Sequence, residues 1–354
     1  MVTTQMRVLL VFTILALVLG YWGLPAYQDN LSAKLCRAAM TGDTAQAEQA
    51  LAWGANIDSR KSDKYPPLFL AIRHHRVEIV KLLLAHGANT TPELEHNAGK
   101  TSALRYAAEV SDLPIFTVLS DRLQMSAEER LQLAVSAGSL PLANSLLAAG
   151  ANPNSRDVYG KTALHYAADR KMLALLLAHG AQVNIADNTG LTPIFAMVHL
   201  QDAGAAARLL LDKGARVDLA DHDGNTLLHA VAPYGANTAL AALLLTHSAA
   251  VDARNHDGAT PLHLSAEFSD TAEMVALLLA HGAAVDARDK DGNTPLHRLA
   301  RRPTADEAVL KILFAHGAQL TARNKQKQTP LDVADKDGHD TMVAQLQKFG
   351  AGKK

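Results

Sequence analysis

Cysteine is nearly absent. Cys36 is the single one in 354 residues, so the chain holds no internal disulfide and no cysteine cluster for zinc. Aromatic residues make up only 5%, too few for rows of base-stacking platforms. An excess of either charge is also missing: 34 Lys and Arg stand against 35 Asp and Glu. No global positive field therefore exists to hold a phosphate backbone, and nucleic acid is not an expected partner. The chain also lacks a G-x-S-x-G nucleophile elbow, a G-x-x-x-x-G-K-[ST] phosphate loop and an H-E-x-x-H zinc motif. The expectation is a protein without catalytic activity, cofactor or metal.

One long apolar run is present, at the N-terminus. In "MVTTQMRVLLVFTILALVLGYWGLPAYQ" the only charged side chain is Arg7, and Val8 to Tyr27 is uncharged. Val8–Leu19 has the length of a signal-peptide core, and extension through Tyr21, Trp22 and Leu24 reaches about 17 residues, the lower limit for crossing a bilayer. Residues 1–28 are therefore expected to form an apolar helix, acting as a signal anchor or a signal peptide. Tyr21, Trp22 and Tyr27 suit the headgroup interface, and Arg7 favours an inside N-terminus. The chain from residue 29 onward is then expected on the extracytoplasmic (periplasmic) side, membrane-anchored, or exported as a soluble protein if the segment is cleaved.

The remainder repeats itself. A helix-ending phrase recurs as "LLLAHGA" (82–88), "LLAAGA" (146–151), "LLLAHGA" (175–181), "LLLDKGA" (209–215), "LLLTHSA" (243–249), "LLLAHGA" (277–283) and "LFAHGA" (313–318). From Gly180 its marker falls at Gly214, Ser248, Gly282 and Gly317, in steps of 34, 34, 34 and 35. Before each stands a phrase such as "TALHYAA" (162), "TPIFAMV" (192), "TLLHAVA" (226), "TPLHLSA" (260), "TPLHRLA" (294) or "TPLDVAD" (329). Motif, period and order together resemble the ankyrin repeat. The resemblance implies an all-α solenoid of about nine to ten helix-turn-helix repeats over 29–354. Weaker copies fill 31–157, well-matched ones 158–354, and 325–354 serves as the C-terminal cap.

The repeated polar residues have local reasons. Asp257–Gly258 suits a tight turn, Thr260 is expected to cap the following helix, and Pro261 fits its first turn. Gly282 ends the second helix in a left-handed position, with His281 in the last turn complementing the helix dipole. Family resemblance implies that His165, His229, His263 and His297 tie neighbouring turns together through backbone hydrogen bonds. Cys36 falls at the histidine position of the first repeat and is expected to be a small packed residue.

Departures from the pattern are informative. "GKTSALRYAAEVSDLPIFTVLSDR" (99–122) carries an extra residue before Leu104 and lacks the terminal glycine. The repeat around Leu164 is short, and Ser248 replaces a helix-ending glycine at a cost of about 1 kcal/mol. "DHDGN" (221–225) and "DKDGN" (289–293) resemble calcium loops faintly but lack the closing glutamate, so turn tips are expected. His74–His75 is read as a solvated helix end.

Function then points to a binding surface. In ankyrin repeats, turn fingers and first helices form a concave groove that binds protein. Mapped onto this chain, the groove positions are Tyr166, Asp169 and Arg170; Ala230, Pro233 and Tyr234; Leu264, Glu267 and Phe268; and Arg298, Arg301 and Arg302. Of these Tyr166, Arg170, Tyr234, Leu264, Glu267, Phe268, Arg298, Arg301 and Arg302 are the candidate partner contacts, aromatics and arginine being the types that dominate interface energetics. The expected role is a monomeric, membrane-tethered scaffold or protector in the cell envelope, or an immunity protein blocking a toxin. The alternatives are an enzyme with an unrecognised site in 88–157, using Asp112, Arg122 or Glu129, and a purely structural spacer. Tip histidines His222 and His256 would make an interaction pH-sensitive.

Overall fold

The computed structural model describes residues 24–60, 65–91, 94–96, 99–199, 203–268 and 271–351. The expected apolar segment therefore lies outside the described residues as far as residue 23. Among the described residues no helix is long and apolar enough to cross a membrane. The chain forms two compact units, Met1–Ala151 and Asn152–Lys354.

In the first unit the described residues form four antiparallel helix pairs: α1 (Leu24–Thr41) with α2 (Thr44–Ala52), α3 (Pro67–Arg73) with α4 (Val77–Ala85), α5 (Ala103–Glu109) with α6 (Leu113–Arg122), and α7 (Ala127–Ser136) with α8 (Leu140–Ala148). Residues 24–28, grouped with the apolar segment on sequence, are the first turn of α1. First helices pack in sequence, α1 on α3, α3 on α5 and α5 on α7. Helix starts are set by side-chain caps: Asp43 accepts Gln46 N–H, Asp112 accepts Ile115 N–H, and Ser126 and Glu129 form a reciprocal box. One departure from the all-α expectation is a short antiparallel hairpin, β1 (Leu94–His96) and β2 (Gly99–Thr101), with Leu94 opposite Thr101. It fills the irregular stretch before α5. The helix end that lacks glycine is completed by Gln124, which takes the left-handed conformation itself at φ 54°.

The second unit holds six pairs among its described residues. Their second helices are α9 (Arg170–Ala178), α10 (Ala203–Asp212), α12 (Thr238–Thr246), α14 (Ala272–Ala280), α16 (Glu307–Ala315) and α18 (Asp340–Ala351). Four partners are α11 (Leu227–Val231), α13 (Pro261–Phe268), α15 (Pro295–Ala300) and α17 (Pro330–Lys336), while Ala163–Tyr166 and Pro193–His199 wind as 3-10 turns. The shortening expected around Leu164 thus falls entirely on the first helix, because the second keeps its nine residues. Leu176, Leu210, Leu244, Leu278 and Leu313 are fully buried on successive second helices, each contributing about 1.5–3 kcal/mol. Ser248 adopts φ 64°, as its place in the glycine series requires.

Polar turns lock this stack. Asp187, Asp221, Asn255, Asp289 and Asn324 each use Oδ1 to accept backbone N–H groups two and four residues on. The Asp221 and Asp289 carboxylates of the calcium-like loops are therefore engaged by their own turns. Fingers also bond to one another: Lys290 N–H donates to Asp257 C=O at 2.8 Å and Lys325 N–H to Asp291 C=O at 2.9 Å. The approach is close enough that a Cβ on Gly258 would lie 2.9 Å from Lys290 N.

Candidate partner-binding surface

The repeated histidines divide into two classes with opposite proton positions. In the T-x-x-H phrases, Nδ1 sits 3.0–3.2 Å from the threonine N–H and 2.9–3.0 Å from its hydroxyl. Nε2 faces a carbonyl of the following repeat: Leu191, Ala259, Asn293 and Gln328 for His165, His229, His263 and His297, at 3.0–3.1 Å. A carbonyl only accepts, so the proton resides on Nε2 and Nδ1 is the acceptor. The implied turn-tying role is present. The Thr260 hydroxyl also meets His263 Nδ1, and the equivalent Thr162, Thr226 and Thr294 cap their helices in reciprocal boxes with the histidines.

Burial holds these rings neutral. It pushes His263 down to about 4 against help from the Asn293 carbonyl, and lowers His165, His229 and His297 as well. His247, His281 and His316 form the second class. They end second helices, are exposed, and donate from Nδ1 to the carbonyl four residues back at 2.8–2.9 Å. His222 and His256 lie exposed on the fingers.

The candidate contact residues separate by what they already touch. Arg298 lies between two acids: Nε and Nη2 donate to Asp289 Oδ2 at 2.9 and 2.6 Å, and Nη1 to Glu267 Oε2 at 3.0 Å. The side chains are 16% exposed for Arg298, 14% for Glu267 and 0% for Asp289, so this ion triad is interior. Burial raises the Asp289 carboxyl, yet Arg298 and the turn amides outweigh it and hold the group below its usual range. Arg298 and Glu267 thus clamp adjacent repeats together. Tyr166 is half-buried and its hydroxyl donates to Asp157, with Lys161 Nζ 5.7 Å from the ring centroid. Burial and then the Asp157 carboxylate hold that phenol well above its usual value.

What a partner can reach is a smaller set. Tyr234 is 50% and Phe268 56% exposed, at corresponding places in consecutive repeats. Their loops meet, since a Cβ on Gly235 would lie 2.2 Å from Thr271 Oγ1. Arg301 is half exposed, with Nη1 3.9 Å from Glu267 Oε1, and Arg170 is exposed at the start of α9. Leu264, Ala230, Pro233 and Arg302 are half-buried, and Asp169 caps α9 through Lys171 N–H and Met172 N–H. Next to Arg301 a polar cavity of about 250 Å³ is lined by Asp291, Asn293, Gln326, Lys336 and Asp337 among others.

Two features escaped sequence reasoning. Arg254 and Arg288 each donate to a carbonyl of their own finger and to one of the next repeat, Arg288 and Arg323 respectively; the recurrence of "DAR" at 252–254 and 286–288 was the available signal. Val158 and Tyr159, 85% and 66% exposed, replace the polar pair found on the other fingers. In 88–157 no enzyme-like constellation forms from the residues considered. Asp112 caps α6 and meets His75 Nδ1 at 2.7 Å, Glu129 caps α7, and Arg122 ends α6. His75 is itself a left-handed residue after α3, at φ 56°. Among the described residues no group of three His, Cys, Asp or Glu could hold a metal ion. Cys36 is buried, as expected of a packing residue.

A family model described as ankyrin repeats in three copies matches residues 35–128, 131–221, 196–289 and 266–353. Similar curated proteins include Protein glp-1 of Caenorhabditis elegans, 31% identical over 174 residues, 43% of this chain and 13% of that protein. The nuclear factor NF-kappa-B p105 subunit of Gallus gallus is 33% identical over 154 residues, 39% of this chain and 15% of that protein. An ankyrin repeat-containing protein of Treponema pallidum is 28% identical over 173 residues, 48% of this chain and 47% of that protein. The chain thus spans less than half the length of these relatives.

Proposed function

Because the chain belongs to the ankyrin repeat family, whose repeats mediate protein–protein interaction, we propose that it is a non-catalytic scaffold that binds one partner protein along the first-helix edge of its second unit. The observation that carries this reading is the placement of Tyr234 and Phe268. Two large aromatics stay about half exposed at equivalent positions of adjacent repeats. Arg301 and Arg302 follow in the next repeat, and Arg170 lies on the earlier side. Glu267 and Arg298 hold the platform beneath rather than meeting the partner directly.

The uncharged run Val8–Tyr27 after Arg7 supports a tether that places the repeats outside the membrane. In that setting a monomeric array would shield an envelope enzyme or block a delivered toxin. Photo-crosslinking in the native cell tests the reading, with the reactive group at Phe268 and a control at exposed Lys171. A discrete adduct from Phe268 alone is expected, and its mass-spectrometric identity separates protector from immunity protein. Equal adducts from both positions, or none from either, would favour a spacer.

A further inference from the structure

Neighbouring helix pairs of the second unit are joined by two kinds of polar tether besides apolar packing. The first is the histidine whose Nε2–H reaches a carbonyl of the next repeat. The second is an Asn or Asp that follows each second helix and accepts a backbone N–H from the next repeat. Asn184 takes Arg216 N–H at 2.9 Å, Asp252 takes Ala284 N–H at 3.0 Å and Asp286 takes Gln319 N–H at 3.1 Å. The pair spanning 163–178 is thus held to the pair 193–212 by His165 and Asn184. The pair 227–246 is held to 261–280 by His229 and Asp252, and 261–280 to 295–315 by His263 and Asp286.

The junction between 193–212 and 227–246 has neither. Phe195 occupies the histidine position and offers no N–H to the Asn225 carbonyl. Thr192 Oγ1, whose counterparts Thr162, Thr226, Thr260 and Thr294 meet a histidine Nδ1, is buried and makes no hydrogen bond. Asp218, in the place of Asn184, turns its carboxylate onto Arg216 of its own repeat at 3.0 and 2.7 Å instead of reaching Ala250 N–H. A buried hydroxyl without a partner weakens the very contact that other junctions strengthen. The polar ties described across this junction are the finger bond from His222 N–H to Thr189 C=O at 2.9 Å and one from Asn237 Nδ2 to Val198 C=O at 3.1 Å. Apolar packing of α11 and α12 against the preceding pair supplies the rest.

We infer that this junction is the compliant joint of the second unit. Two independent tethers are lost at one place and at neither neighbour, so opening or tilting between repeats occurs there first. The joint falls between Tyr166 and Arg170 on one side and Tyr234, Phe268 and Arg301 on the other. Motion at it changes the spacing of the two groups a partner would meet, whatever that partner is.

Amide hydrogen exchange on the full chain tests this, using the wild type, F195H, T192V and T260V. In the wild type, amides of 203–212 and 227–231 exchange faster than those of 272–280 and 295–300. F195H supplies an Nδ1 for the Thr192 hydroxyl and an Nε2–H for the Asn225 carbonyl, and slows exchange in those segments about three- to tenfold, the scale of one recovered hydrogen bond. T192V leaves protection unchanged or raises it, whereas T260V, which strips His263 of its hydroxyl partner, lowers it. Uniform protection across all junctions in the wild type would overturn the inference, as would unaltered exchange in a folded F195H. Should F195H misfold, the contrast between T192V and T260V decides: equal loss in both sinks the joint, and loss in T260V alone supports it.

Discussion

Where the second unit holds His165, His229, His263 and His297, the first unit holds Cys36, Phe69, Arg105 and Gln132. Both units make the same antiparallel pairs and stack them in the same order, yet the polar links between pairs differ. In the second unit one ring accepts from its own turn and donates to the next, and the arrangement recurs with little change. In the first, each junction is solved separately. Phe69 is fully buried and stacks on Tyr106 at 5.7 Å, which in turn faces Tyr65 at 6.5 Å under Arg73. Arg105 Nη2 reaches the Ser136 carbonyl at 3.3 Å, and Glu129 closes a capping box. Apolar packing is thus enough to stack helix pairs, while the histidine tether adds a periodic, titratable link. The last repeat makes the same point. Asp332 replaces histidine and accepts from Thr329 N–H at 2.8 Å, keeping the acceptor role of the ring without its second, donating nitrogen.

Acid should break the comparison most sharply. An unfolded imidazole takes its proton near pH 6.5, but His263 in the fold does so only at about 4. Between these values the unfolded state binds more protons, so stability is complete above pH 6.5 and falls as pH drops towards 4. His263 alone accounts for about 3 kcal/mol of that loss, and the three other lowered histidines add to it. Urea melts at pH 7 and pH 4.5, read by probes in each unit, should show the second unit losing more; equal losses would contradict the assignment of neutral tethers.

Arg298→Ala should cost about 3 kcal/mol, because it takes the guanidinium from between two carboxylates and leaves the buried Asp289 charge without its ion-pair partner. Arg105→Ala in the first unit, whose partners are the Ser136 carbonyl and the exposed Glu109 carboxylate, should cost about 1 kcal/mol. Thermal melts of the two variants distinguish the cases. Exchanging the solutions between units is the next test. His263→Phe copies the Phe195 arrangement and should destabilise by about 1–3 kcal/mol by leaving the buried Thr260 hydroxyl without its partner and the Asn293 carbonyl with the Asp289 N–H alone. Phe69→His, with Pro66 and no threonine beside it, should gain no tether and lose apolar burial, lowering the melting temperature as well.

The smallest effect should be common to both units. Ser248→Gly and Gln124→Gly each relieve a left-handed side-chain residue and should stabilise by about 1 kcal/mol. A gain in one only would mean that the helix ends are not equivalent.

Much of this was readable in the residues. The period of 34, the glycine and serine at the helix ends and the histidine series led to the family and to the tethering role, because each depends on local backbone geometry repeated at fixed spacing. The proposed contact positions were readable only as places in the motif. Tyr234 and Phe268 lie exposed as expected of contacts, but Glu267 and Arg298 fall in an interior triad with Asp289. Glu267 is equivalent in the motif to exposed Asp169 and Arg301, and Arg298 to half-buried Tyr166 and Leu264; only the approach of two adjacent repeats brings one guanidinium between two carboxylates.

By itself the sequence determined the helix pairs, their order and the sites of left-handed turns, since these follow from contacts within about 34 residues of chain. Tertiary structure alone decided which polar groups are spent on holding repeats together and which remain for a partner. Burial and hydrogen bonding at each junction depend on side chains one repeat apart, and a missing tether, as at Phe195 and Asp218, shows only when both sides of the junction are in place.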